Sequence, residues 1–115
     1  RLGALAGADP RSLPMVLSEC GGIGFVDAGK RDGQEPDFAY GDIPKTQEQL
    51  SQICQRLLAE IAEIPQLSGF VWTQLTDVQQ EVNGLLYFDR SAKVPLEEIA
   101  GLVDNAAKKR DERRP

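Results

Sequence analysis

Apolar residues in this chain follow two different spacings, and the alternation between them outlines the fold. Leu13, Met15, Val16 and Leu17 form a compact run that stops at Ser18-Glu19, with Cys20, Gly21 and Gly22 after it. A short run apolar on both faces, bounded by Pro14 and a glycine pair, predicts a buried strand over 13–18. Further on the spacing changes. Leu50, Ile53, Cys54, Leu57, Leu58 and Ile61 recur at helical intervals, Thr46 and Gln49 fit a capping box, and Pro65 predicts a stop near residue 63. "LSGFVWTQLT" (67–76) returns to the strand pattern, with Phe70, Val71, Trp72 and Leu75 in or beside it. Asn83-Gly84 predicts a turn after the polar "DVQQEVNG", and 85–88 a short extended piece. Pro95 stands at the expected first position of a second helix, whose apolar stripe is Leu96, Ile99, Leu102, Val103 and Ala106.

The order is strand, long loop, helix, strand, long loop, helix, which predicts a parallel α/β arrangement. Two strands apolar on both faces do not make a stable parallel sheet alone, so each expects neighbouring strands and helices that these residues do not supply. Residues 1–12, beginning "RLGALAGADP", read as the end of a preceding element or loop, 13–107 as the α/β portion, and 108–115 ("KKRDERRP") as a flexible, solvated tail.

Composition narrows the chemistry. There are 13 Lys and Arg against 18 Asp and Glu, a net charge of −5, which gives no support for nucleic-acid binding. No apolar run is long enough to cross a bilayer, so no membrane partner is expected. The chain has no histidine and two cysteines, Cys20 and Cys54, far apart in sequence. That inventory excludes a zinc site, a Ser-His-Asp triad and a Cys-His dyad. Asp27, Glu35, Asp37 and Asp42 in the first long loop match no calcium or magnesium spacing, so neither metal nor cofactor is expected. Carboxylates, amides, hydroxyls and aromatics remain. Among them Glu19 stands out: a lone carboxylate carried to the C-terminal tip of a buried strand, beside backbone without Cβ atoms, is how a barrel enzyme presents a catalytic group.

The segments "PMVLSECGGIGF", "YGDIPKTQEQL" and "GFVWTQLTDVQQEVNGLLYFDRSAKVP" closely resemble, in the same order, the end of the catalytic barrel of glycoside hydrolase family two. That family includes β-galactosidases, β-glucuronidases and β-mannosidases. The resemblance spans roughly residues 14–105 and implies the last two strand–helix units of a (β/α)8 TIM barrel, incomplete as given. It implies a retaining glycosidase in which Glu19, matching the glutamate of the family's Ser-Glu-(aromatic)-Gly segment, is the nucleophile. Cys20 departs from the family's usual Phe or Tyr. The second carboxylate, which ends strand four of such barrels in an Asn-Glu pair, has no counterpart here, so these 115 residues alone are expected to be inactive.

On the same resemblance, Trp72, Thr73, Gln74, Asp77 and Tyr40 are the expected carbohydrate-binding residues: an aromatic face for a pyranose ring, and hydroxyl, amide and carboxylate groups for its hydroxyls. Two of them have a plainer reading, Trp72 as core and Gln74 as a surface amide. Glu81 and Asn83 read as shaping the turn, and Cys54 as core. The implied partners are a carbohydrate substrate and the remainder of the barrel, in missing sequence or another chain. The alternative is a non-catalytic fragment, or a carbohydrate-binding remnant that forms a homo-oligomer to cover its strands.

Overall fold

The structure, a computed structural model, describes residues 13–30 and 43–112. Tyr40 and the acids Glu35, Asp37 and Asp42 lie outside the described residues, as do 1–12 and 113–115. The described elements run β1 (Met15–Gly21), one 3-10 turn (Ala28–Lys30), α1 (Gln47–Ala62), β2 (Leu67–Thr73) and α2 (Leu96–Asp111). The two strands pair in parallel, with α1 crossing between them. The chain is thus a mixed α/β structure of two strand–helix units.

Element boundaries follow from local chemistry. Thr46 caps α1, its hydroxyl accepting from the Gln49 N–H at 3.1 Å. The return bond of the expected capping box is shifted by one residue, because the Gln49 side-chain Oε1 takes the Lys45 N–H (2.8 Å). Pro95 is the N-cap of α2 and not its first residue; its carbonyl accepts from both Glu98 and Ile99 N–H. β2 stops at Thr73, short of the expected 76, because β1 offers no partner beyond Gly21, which pairs with Thr73. β1 in turn runs past the expected Ser18, through Glu19, to that glycine.

Both helices pack toward one face of the strand pair. One cluster joins Phe25, Leu50, Cys54, Tyr87 and Val94; the other joins Leu58, Ala62 and Ala106, with Phe70 of β2 against it. Trp72 and Leu102 pack against both clusters and connect them. The opposite face carries the alternate residues of β2. There, contrary to the expectation of strands buried on both sides, Val71 is 53% exposed, and Val16, whose pairing partner is Gly69, is 57% exposed. The α2 stripe is also narrower than its spacing predicts: Ala106 is buried and Ile99 and Leu102 half-buried, but Leu96 and Val103 are exposed.

Candidate functional site

Glu19 sits in a β-bulge. Leu17 pairs with Phe70 and Cys20 with Trp72, so β1 spends three steps where β2 spends two, and Ser18-Glu19 together face Val71. A bulge bends its strand and re-aims the side chain it carries. Glu19 is exposed, and its carboxylate makes no hydrogen bond or ion pair among the described residues. Two residues later the need for glycine becomes geometric. Gly21 has φ +94°, and a Cβ there would lie 2.6 Å from the Thr73 carbonyl oxygen and 2.8 Å from the Trp72 ring. Gly22 follows at φ +66°, and its N–H donates to the same Thr73 oxygen at 2.7 Å. The strand gives up its side chains after Glu19 so that β2 and its indole can close against it.

Trp72 is therefore half-buried, its indole wedged between the end of β1 and both core clusters. Thr73 is half-buried beside it. Gln74 joins a polar cluster, its Nε2 donating to Asn83 Oδ1 (2.6 Å) and Glu81 Oε2 (3.1 Å). The loops after the two strands are stitched together by the Phe25 N–H, which donates to the Val82 carbonyl at 2.9 Å. Lys30 adds a side-chain link, Nζ donating to Ser91 Oγ at 2.7 Å.

Asp77 is placed differently. It is buried, and its Oδ1 accepts from the Gly84 N–H (2.8 Å) and from Lys93 Nζ (2.7 Å). Lys93 has no exposed surface; its ammonium also donates to the Val82 carbonyl (2.8 Å) and lies 5.2 Å from the centre of the Tyr87 ring. Burial pushes the Lys93 pKa below its ordinary value, with the hydrogen bond and charge of Asp77 pulling it back up. The turn this pair secures is tight: a Cβ on Gly84 would fall 2.2 Å from the Thr76 carbonyl carbon. Leu86 then bridges both Thr76 and Ala92, where the extended piece is expected.

Neither Lys93 nor Tyr87 is singled out by its sequence context. The Lys93 partner is 16 positions away, across a polar loop, and no local spacing marks the pair. Burial also pushes the Tyr87 phenol above its usual value, opposed by the nearby Asp27 backbone, and its hydroxyl meets no hydrogen-bond partner in good geometry among the described residues. Among the described residues no group of three or more Cys, Asp or Glu is arranged to hold a metal ion.

The structure thus brings Glu19, Trp72, Thr73 and Gln74 to the C-terminal end of the sheet and commits Asp77 to an internal ion pair. No protein-family model and no curated protein matches this chain. What can be said of its chemistry therefore rests on these residues. An exposed carboxylate at a parallel strand's C-terminal end, with no partner among the described residues, has the position of a nucleophile or base toward a bound ligand. The side chains beside it offer hydrogen bonds without a metal.

Proposed function

We propose that this chain is the C-terminal part of the catalytic barrel of a retaining β-glycoside hydrolase of family two, with Glu19 as its nucleophile. The observation that carries this reading is the placement of Glu19. It stands exposed, with no partner among the described residues, in a bulge at the C-terminal end of a parallel strand, where (β/α)8 enzymes place their reacting groups, while Asp77 is tied up internally. The open sheet face agrees with it, because exposed β-branched residues such as Val16 and Val71 suit the layered interior of a closed barrel.

A retaining mechanism needs a second carboxyl group about 5–5.5 Å from the first, one attacking the anomeric carbon and one protonating the leaving oxygen. That acid/base belongs to barrel units outside these residues, as do most groups that bind the sugar. Thr73 and Gln74 contribute part of the sugar site, and Trp72 shapes its floor by holding the end of β1.

The test uses the complete polypeptide that carries these residues. Glu19→Gln should lower kcat on aryl β-glycosides by several orders of magnitude, and a 2-deoxy-2-fluoro glycoside should label the wild type at Glu19, read by peptide mass. Full activity in Glu19→Gln, or labelling elsewhere, would overturn the assignment. The exposed valines also support a second reading, a non-catalytic fragment whose strands are covered by further copies of itself. Size-exclusion at several concentrations separates the two: self-association of inactive 12.6 kDa chains would favour the fragment.

A further inference from the structure

The hydrolase reading leaves the class of sugar open, and the loop after β2 carries a feature that bears on it. Gln74 Nε2 has two hydrogens and donates to two acceptors, Glu81 Oε2 and Asn83 Oδ1. The backbone fixes this arrangement: Gln74 N–H donates to the Asn83 carbonyl (3.4 Å), Leu85 N–H to the Gln74 carbonyl (3.0 Å), and Val78 and Glu81 exchange N–H···O bonds at 3.1 and 2.9 Å. With its amide nitrogen spent, Gln74 keeps Oε1, Asn83 its Nδ2 and Glu81 its second carboxylate oxygen. None of these three atoms has a partner among the described residues. Two acceptors and one donor on neighbouring side chains match a pattern of sugar hydroxyls.

Glu81 is the charged member of this cluster. Gly22 bonds Thr73 and Phe25 bonds Val82, so the cluster lies on the loop that packs against the residues following Glu19. Of the cations in the described loops, Lys93 pairs with Asp77 and Lys30 lies against Ser91 and Asp89, while Arg90 donates to the neutral Phe88 carbonyl and Lys45, just ahead of α1, is exposed. The basic run of α2 lies at the other end of the sheet, where Arg110 lines a groove with Leu67, the first residue of β2. Glu81 therefore brings a carboxylate oxygen without a partner among the described residues to the loop beside Gln74 and Asn83, where a ligand carboxylate would meet like charge.

We propose that Glu81, oriented by Gln74 and Asn83, is a specificity-determining residue that selects neutral, hydroxyl-rich glycosides over uronic-acid glycosides. This rests on the hydrolase reading. The test is a kcat/KM panel on the complete polypeptide, with aryl β-galactoside, β-glucoside and β-mannoside against aryl β-glucuronide, in wild type and Glu81→Gln. The glutamine keeps an acceptor for Gln74 Nε2, removes the charge and turns the second carboxylate oxygen into an N–H donor. In the wild type the best neutral glycoside should exceed the glucuronide by about tenfold or more. Glu81→Gln should narrow that ratio, lowering the glucuronide KM by removing the like charge and raising the KM of the neutral glycosides, which lose one carboxylate acceptor. A wild type that prefers the glucuronide, or a ratio untouched by Glu81→Gln, would overturn the specificity role and leave the hydrolase standing. Cleavage of neither class would overturn the hydrolase reading, and this inference with it.

Discussion

Two carboxylates at the same end of this molecule have opposite fates. Glu19, in the β1 bulge, is exposed and has no side-chain partner among the described residues. Asp77, four residues beyond the end of β2, is buried, and its Oδ1 accepts from the Gly84 N–H and the Lys93 ammonium. Their sequence contexts look alike, each an acid closing an apolar run ahead of a polar loop. What separates them is whether the following loop folds back. The loop after β2 returns through a tight turn at Gly84 and delivers a lysine; the two glycines after Glu19 carry the described chain toward Val82 and bring no cation to it. An acid's role in this fold is thus set by what the chain does after it, and an acid left alone is available for chemistry at a cost in local stability.

The comparison breaks most readily at Lys93. Removing the ammonium strands a buried carboxylate, so Lys93→Ala should lower the stability by about 3–5 kcal/mol, read as a fall in the urea midpoint at unchanged slope. The double substitution Asp77→Asn with Lys93→Met removes both charges and should recover most of that loss. A Lys93→Ala cost below about 1 kcal/mol would mean that Asp77 reaches water and that the two acids differ less than their surroundings suggest.

The difference between the acids also marks how much of the fold was legible. Helical spacing and the Thr46 cap locate α1 to within a residue, because both signals are local and the cap is satisfied within its own turn. The two strands and their parallel order are legible for the same reason. The bulge at Ser18-Glu19 is not, since it exists only in the register between strands 50 residues apart in sequence. Nor is the Asp77–Lys93 pair, which needs the turn at Gly84 to close. The strand-end position and the resemblance both point to Glu19, but neither shows that Asp77, expected in the sugar site, is bonded internally. The apolar pattern overstates burial for a physical reason: it records what Val16 and Val71 are suited to, and among the described residues nothing covers them.

A smaller effect tests how the end of β1 is built. At Gly21 a Cβ would meet the Thr73 carbonyl oxygen and the Trp72 ring in a backbone conformation that side chains rarely adopt. Gly21→Ala should cost about 2–4 kcal/mol, part from φ and part from displacing Trp72, with a shift in tryptophan fluorescence that reports the displaced indole. An unshifted emission with a loss below about 1 kcal/mol would mean that the strand end relaxes without moving Trp72, and that the glycine serves only the turn.

The smallest effect belongs to Glu19 itself, and it is the one that completes the contrast. A carboxylate with no partner in the fold has little to lose when its charge is removed, so Glu19→Gln should leave the unfolding midpoint within about 0.5 kcal/mol of wild type. A gain would also fit, because catalytic groups are commonly held where they do not help folding, and replacing them relieves that tension. A large loss would instead assign Glu19 a structural bond, most directly to one of the residues outside 13–30 and 43–112. Glu19 would then belong with Asp77, as an acid the fold consumes. Near-zero cost to stability together with loss of turnover is the pair of results that only a functional carboxylate gives.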